Sequence, residues 1–151
     1  MGDQNTLNSV SHGIVKAVAE VTGTGRKVLY VISTDLSHFP EKNDALRSDF
    51  EILKAFCSLN GDILIQTDKN IMDRKIANLS CTMCGLDAAY VGIQIANAHK
   101  AERAIILNRS VSSDAGIKGV TEESVVGYAS VAIIGMSESP LVLEYISEPG
   151  M

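Results

Sequence analysis

Two nearly continuous runs of β-branched and other apolar residues constrain the fold more than any other feature of the sequence. The first, Lys27 to Ser33, reads KVLYVIS, and the second, Ser124 to Met136, reads SVVGYASVAIIGM. Strands without polar alternation are typical of a sheet that is covered on both faces. These runs therefore predict two buried strands. Ala104 to Leu107 predicts a third strand, and Leu141 to Leu143 predicts an edge strand.

Stretches with helical spacing lie between these runs. Apolar residues three and four positions apart predict helices; these helices are Val10 to Val21, Asn43 to Leu59, two short pieces at Gly61 to Asn70 and Ile71 to Leu79, and Gly85 to His99. Asn108 to Glu123 is polar and predicts a loop. Helices that alternate with buried strands predict one α/β domain over residues 1–151, with three layers (αβα) and a small central mixed sheet of about four strands.

The composition excludes several classes of function. The chain has 13 Lys and Arg against 18 Asp and Glu, a net charge of −5, which argues against binding to nucleic acid or to an anionic membrane. No apolar run approaches the roughly 20 residues that cross a bilayer, and the polar N-terminus predicts no signal peptide. Three cysteines, an odd number, indicate free thiols in a reducing cytoplasm.

The segment Ser33 to Pro40 (STDLSHFP) follows the first predicted strand directly. Ligands of open α/β sheets bind beyond the carboxyl ends of the strands. Asp35 and His38 are close enough in a tight loop to converge, and a carboxylate with an imidazole can bind a metal or act as an acid–base pair. The alternative is a turn with local capping and an exposed His38. Its position after a buried strand favours the functional interpretation.

A second segment, CTMCG, places Cys84 beside the start of the helix predicted from Gly85. A helix N-terminus favours a thiolate, which is both a soft-metal ligand and a nucleophile. Three functional readings are open: a zinc site, which lacks a second ligand pair; a dithiol redox pair of Cys81 and Cys84; and a role for Cys84 alone. The non-functional alternative is that Cys81 and Cys84 are buried and act as small apolar residues. We predict this role for Cys57.

Four further residues are candidates to line a pocket with Asp35 and His38: Ser37, Ser113, Asp114 and Tyr128. Ser113 and Asp114 lie in the polar loop, which is ordinarily a solvated connector. Tyr128 follows Gly127 in the last predicted strand, where plain sheet packing is the more common role. The remaining histidines, His12 and His99, are predicted at the surface.

Taken together, four segments resemble the C-terminal half of the Memo-like family; they are Lys27 to Phe39, the helix around Phe50, Met83 to Gly85, and Ser124 to Ile133. The family carries a D-x-S-H-[YF] loop after a strand, M-C-G or C-G before a helix, and a closing V-x-Y-A-x-x-A strand. The resemblance extends to about Gly135, and residues 137–151 lie outside it. It implies half of a fold related to that of the class III extradiol dioxygenases.

The resemblance also implies functions for individual residues. Asp35 and His38 would line the pocket in which the dioxygenases hold non-haem iron, and Cys84 would replace a metal ligand. The family's other ligands are two histidines of its N-terminal half, and His12 matches neither. If the chain is an enzyme, the implied chemistry is oxidation with Fe(II) and oxygen, with His38 as the acid–base group. We expect the three side chains to surround one cavity at the rim of the sheet.

Two other functions are compatible with the sequence. The chain could be a non-catalytic domain that binds a short peptide, a small molecule or a protein partner, and that obtains the missing half by forming a homo-oligomer or from an N-terminal-half partner. It could also be a CxxC redox module that forms a reversible Cys81–Cys84 disulfide.

Overall fold

A computed structural model of the chain describes residues 2–23, 26–116 and 118–135. The helices and strands in these ranges are, in chain order, α1 (Gln4–Thr22), α2 (Lys42–Cys57), α3 (Gly61–Asp73), α4 (Leu86–Ala98), β1 (Ala101–Val111), a single turn of 3-10 helix (Ser112–Ala115) and β2 (Gly127–Gly135). This mixture confirms the α/β class. None of the helices in the described ranges combines the length and the apolar character that a membrane span requires.

Local capping explains where two of the helices begin. The Asp3 carboxylate accepts the Thr6 amide proton at 3.0 Å before α1, and the Asn60 side chain accepts two amide protons before α3. These contacts satisfy donors that have no partner inside the helix. Helix α3 is one continuous helix where the sequence predicts two pieces, and it ends before Lys75 and Asn78, which both have positive φ angles.

The described sheet consists of two antiparallel strands, with Ala101 opposite Gly135 and Val111 opposite Gly127. Its residues Ile106, Val131 and Ile133 pack against the main core, which α2, α3 and α4 supply. The buried members of that core include Leu36, Ile52, Leu53, Phe56, Leu64, Ile71 and Ile93. The helices therefore cover the sheet with the apolar faces that their spacing predicts.

The first apolar run, Lys27 to Ser33, is not the buried strand that the sequence predicts. Residues 26–37 form no strand, although their side chains alternate. Ile32 contacts Gly92 of α4, and Tyr30 contacts His99 directly after α4. Leu29, in contrast, is 85% exposed and Val31 is 79% exposed. One side of the run is covered by a helix, and the other side has no neighbouring strand among the described residues. The described sheet thus has two strands instead of about four.

Other boundaries differ less. Strand β1 is longer than the predicted Ala104 to Leu107, and β1 and the 3-10 helix occupy the first part of the predicted loop from Asn108. His12 and His99 are exposed, as predicted, and Cys57 is half-buried against the main core. The predicted edge strand Leu141 to Leu143 and the tail 137–151 lie outside the described residues.

Candidate functional site

The loop of residues 35–39 is held through every one of its backbone amides. The Asp35 amide donates to Cys84 Sγ (3.3 Å), and the Ser37 amide donates to Asp49 Oδ1 (2.9 Å). The other three amides donate to backbone carbonyls: Leu36 to Gly127 (2.9 Å), His38 to Cys81 (3.2 Å) and Phe39 to Val125 (2.7 Å). A buried backbone amide without an acceptor is costly, so this complete set fixes the loop. Residues that are far apart in the sequence supply all of the acceptors.

Asp35, His38 and Cys84 come together at this loop. One possible ligand atom of each residue lies within 4.8 Å of the other two. His38 Nε2 is 3.6 Å from Asp35 Oδ2, and the Cys84 sulfur accepts the Asp35 amide proton. An oxygen, a nitrogen and a sulfur donor therefore share one small region, as the spacing and the resemblance predict.

His38 carries an unusual feature for a site of this kind. Its Nε2 atom is buried and has no hydrogen-bond partner in the described part of the chain. Buried polar atoms nearly always have a partner, and one without a partner needs an explanation. An imidazole nitrogen is also the commonest protein ligand for metals. The donor set and this unpaired nitrogen together fit a metal ion.

The segment that carries Cys84 is bonded to the loop along its length. The Ser80 amide donates to the His38 carbonyl, the Cys84 amide donates to the Asp35 carbonyl at 3.3 Å, and the Gly85 amide donates to Thr34 Oγ1 at 2.8 Å. Helix α4 starts at Leu86, so Cys84 precedes it as predicted. These bonds place the cysteine next to a loop about 50 residues earlier in the chain.

The other cysteine of the CxxC segment has a different environment. Cys81 is half-buried, Cys84 is exposed, and all three cysteines are free. Burial raises the pKa of the Cys81 thiol, and the charges of Cys84, Asp68 and Asp35 raise it further. Because a thiolate is the reactive form of cysteine, this environment disfavours Cys81 as a nucleophile.

The cavity beside the site differs from the expected one. It has a volume of about 300 Å³ and is lined by Cys81, Cys84, Asp68 and Asp87, among others. Asp35 and His38 are not among its lining residues, so this cavity is not shared by all three groups. The Asp35 side chain is 47% exposed, and Cys84 is exposed as well. Asp35 and Cys84 thus lie at an open surface, whereas His38 Nε2 is buried.

The four residues predicted to line a pocket differ in burial and in their contacts. Ser37 is fully buried, and Ser113 Oγ is buried without a hydrogen-bond partner in the described ranges. Asp114 accepts the Val111 amide proton at 3.0 Å and pairs with Lys42 Nζ at 3.0 Å, and both contacts lower the pKa of its carboxyl group. Tyr128 is exposed. Only Asp35, His38 and Cys84 form a candidate metal-ligand group in the described residues.

Asp49 is a residue at this site that the sequence did not reveal. It is 2% exposed on α2, and its Oδ1 accepts the amide proton of Ser37 at 2.9 Å. Burial raises the pKa of its carboxyl group, while the hydrogen bond from the Ser37 amide and the charge of Arg109 partly oppose that rise. The available signal was a charged residue on the apolar face of the helix, next to Ile52 and Leu53.

Phe39 gives this loop a second unusual feature. Its φ angle is 72°, in the left-handed region that large side chains rarely adopt. Its ring contacts the His38 ring edge to face, with 5.4 Å between the ring centroids. The strained backbone therefore lies directly beside the imidazole.

Comparison with known proteins identifies relatives for most of the chain. A family model described as "Memo-like protein" matches residues 1–132. A MEMO1 family protein of Methanococcus maripaludis strain C5 is 29% identical to this chain, over 88% of this chain and 42% of its own length. A MEMO1 family protein of Archaeoglobus fulgidus is 28% identical, over 87% of this chain and 44% of its own length. A MEMO1 family protein of Methanocaldococcus jannaschii is 28% identical, over 87% of this chain and 41% of its own length. The chain thus spans less than half of the length of these relatives. No solved structure matches it.

Proposed function

The chain belongs to the family of Memo-like proteins, and from that premise we propose that Asp35, His38 and Cys84 bind a metal ion, with Fe(II) as the favoured metal. The observation that carries this proposal is the meeting of three different donor groups within 4.8 Å. It is supported by the buried, unpaired Nε2 of His38, which lies 3.6 Å from Asp35 Oδ2. Imidazole and carboxylate ligands suit non-haem iron, and a thiolate adds a soft donor.

The residues present fit a catalytic metal better than a structural one. Structural zinc sites close with four protein ligands, whereas catalytic sites keep a position open. Three protein donors, two of them at an open surface, leave such positions for a substrate. Bound Fe(II) would supply redox chemistry, including the activation of oxygen, which makes an oxidoreductase the favoured class of enzyme.

His38 and Asp35 have a second role open to them. The two side chains approach to 3.6 Å, and a neighbouring carboxylate can orient an imidazole. His38 can therefore hold or move a proton if the metal depends mainly on Cys84 and Asp35. These two uses of His38 are alternatives, because a nitrogen that binds a metal cannot carry a proton.

Metal binding by paired cysteine variants tests the proposal. The wild-type chain is expected to bind Fe(II) stoichiometrically under anaerobic conditions, as measured by elemental analysis after desalting. C84A is expected to lose this metal. C81A is the matched control, because Cys81 is the neighbouring cysteine outside the ligand group, and it is expected to keep the metal. A wild-type chain without bound metal, or a C84A variant that binds as tightly as wild type, would contradict the proposal.

A second candidate function is binding of a polypeptide partner. It is favoured by the exposed apolar side chains on one side of residues 28–33. Leu29 and Val31 are largely exposed, and the run borders a groove of about 400 Å³ with Leu53, Phe56 and Val131. Exposed apolar edges pair readily with another chain. We propose that the partner is a separate polypeptide. It would correspond to the N-terminal half of the longer relatives, which this chain does not match.

This candidate is tested by mixing the chain with the unmatched part of the Methanococcus maripaludis relative, produced as a separate chain. Size-exclusion chromatography with light scattering is expected to show a complex that V31K abolishes. V21K is the matched control, since Val21 on α1 has the same 79% exposure as Val31. A complex that persists in V31K would place the contact elsewhere, and a homo-oligomer of the chain alone would favour self-association.

The CxxC redox module remains the third proposal. It requires a reversible Cys81–Cys84 disulfide, which the raised pKa of Cys81 makes slower to form. Thiol titration after mild oxidation tests it, and a pair that resists oxidation would exclude it. The free cysteines are compatible with the cytoplasmic location that the sequence predicts.

A further inference from the structure

One side chain of α2 reaches the loop that carries two of the candidate ligands. Of the five backbone amides of residues 35–39, four donate to backbone carbonyls or to the Cys84 sulfur, and only that of Ser37 donates to a carboxylate. That carboxylate belongs to Asp49. Ser37 lies between Asp35 and His38 in the sequence, so this bond anchors the loop at the residue that separates the two ligand side chains.

The surroundings of Asp49 are built closely around it. A Cβ atom on Gly127 would collide with Asp49 Oδ2, so the first residue of β2 leaves room for the carboxylate by having no side chain. Gly127 is also bonded to the loop, since it accepts from the Leu36 amide and donates to the Ser37 carbonyl. Helix α2, strand β2 and the loop therefore meet at this one buried carboxylate.

A carboxylate at this position has an energetic disadvantage for the fold. A buried charge costs free energy unless it is paired and hydrogen-bonded, and an apolar residue would continue the buried face of α2 that Ile52 and Leu53 form. Arg109 of β1 supplies an opposite charge, but it contacts the Leu46 carbonyl and the Phe50 ring instead of hydrogen-bonding to Asp49. The direct partner of Asp49 is the loop.

We propose that Asp49 is a positioning residue for the metal site, and that its hydrogen bond to the Ser37 amide holds Asp35 and His38 in the arrangement that meets Cys84. This inference rests on the proposed metal-binding function. Groups that orient metal ligands from outside the ligand set typically change metal affinity by about 10–100-fold. Asp49 acts here through the backbone between two ligands.

The test compares variants that keep or remove the acceptor. The dissociation constant for Fe(II) is measured anaerobically by titration, at a temperature at which circular dichroism shows each variant to be folded. D49A removes the acceptor and is expected to bind Fe(II) about 10–100-fold more weakly than wild type. D49N keeps a side-chain oxygen at the same position and is expected to restore binding to near the wild-type value.

S48A is the matched control for a loss of buried packing. Ser48 is also almost fully buried on α2, but its hydroxyl bonds within the helix, to the Asp44 and Ala45 carbonyls. S48A is expected to bind Fe(II) as wild type does, even if its stability falls. If Fe(II) affinity depends on the side-chain acceptor at position 49 and not on the stability of each variant, a purely structural role of Asp49 would not explain the result.

D49L serves as a second variant without an acceptor if D49A does not fold, because it fills the same space with an apolar side chain. Wild-type affinity in whichever of these two variants folds would overturn the inference and leave the proposed metal site intact. Failure of both to fold would also overturn it, since Asp49 would then be needed for the fold itself. A wild-type chain that binds no Fe(II) would instead overturn the proposed function, and the inference with it.

Discussion

Residues 26–34 and residues 35–39 are consecutive in the chain, but the structure treats them differently. The amides of the second segment all have acceptors, whereas the structure gives those of residues 28–34 no acceptor among the described residues. Leu36 is 3% exposed, and Leu29 is 85% exposed. In the sequence Leu29 lies inside the apolar run, whereas Leu36 lies between Asp35 and Ser37. Local composition would therefore suggest the opposite order of burial for these two leucines.

The difference shows what holds the candidate site in place. Three separate segments converge on residues 35–39, namely α2, residues 80–84 and residues 125–127. The described contacts of residues 28–34 are with α4 and with residues at its two ends, including Gly85 and His99. Order in the loop therefore comes from long-range contacts, and the run before it depends on one helix. The predictions that follow test this comparison.

The largest effect is expected from the two leucines themselves. L36A removes a buried side chain from the main core and should lower the free energy of unfolding by about 2–5 kcal/mol. L29A truncates a side chain that faces water and should change it by no more than about 0.5 kcal/mol. Urea unfolding measures both. Similar losses in the two variants would show that Leu29 is buried in solution and would end the comparison.

Gly127 provides the next test, because it joins the loop to β2. G127A places a methyl group against the Asp49 carboxylate and should destabilise the fold by about 1–3 kcal/mol. G13A is the matched control, because Gly13 is inside α1 and its new Cβ would meet nothing within 4 Å beyond its chain neighbours and the backbone of α1 itself. It should stabilise the chain by about 0.5–1 kcal/mol. A neutral G127A would mean that Asp49 can move without loss.

The pH dependence of stability gives a smaller, directional test of the loop. Burial raises the pKa of Asp49 above its ordinary value of 3.8, so the folded state holds this proton more tightly than the unfolded state does. The contribution of Asp49 therefore favours folding at low pH and is lost as the pH rises from that value through the folded pKa.

D49N removes this contribution. Relative to wild type, D49N should gain stability as the pH rises through the acidic range, as measured by urea midpoints at a series of pH values. The difference between the two chains cancels the opposite effects of Asp114 and Glu51, whose pKa values are lowered. Parallel pH profiles would show that Asp49 has the same pKa in the folded and unfolded states.

The smallest effect is local. Amide hydrogens of residues 35–39 should exchange slowly with solvent, since each is bonded and the loop is anchored to three segments. Those of residues 28–33 should exchange much faster in the chain alone. Hydrogen exchange with mass spectrometry measures both segments in one experiment. Slow exchange in residues 28–33 would indicate a partner or a self-association that protects them.

The sequence predicts the helices well because their apolar spacing depends on each helix and its own buried face. The proximity of Asp35, His38 and Cys84 was also predicted, since a loop after an apolar run and a cysteine before a helix are local signals. Their role as metal ligands stays a prediction. The sheet was predicted less well. The run KVLYVIS has the composition of a covered strand, but whether a neighbour covers it depends on contacts that a local pattern does not contain.

Asp49 was missed for a related reason. Its signal was a single carboxylate among Ile52, Leu53 and other apolar residues of α2, and such a residue is more often partly exposed at the edge of a helix face. Only the tertiary contact with Ser37, together with the space left by Gly127, gives it a role. The positions of Ser113 and Tyr128 also depended on the path of the chain between β1 and β2.

The left-handed backbone at Phe39 has a consequence for anyone who engineers this loop. A residue other than glycine in that conformation is strained by about 1–3 kcal/mol, so glycine at this position would be an obvious stabilising change. The same change would delete the ring that contacts His38 and would leave the imidazole freer to rotate. Thermostability and a well-oriented imidazole are thus competing design goals at position 39.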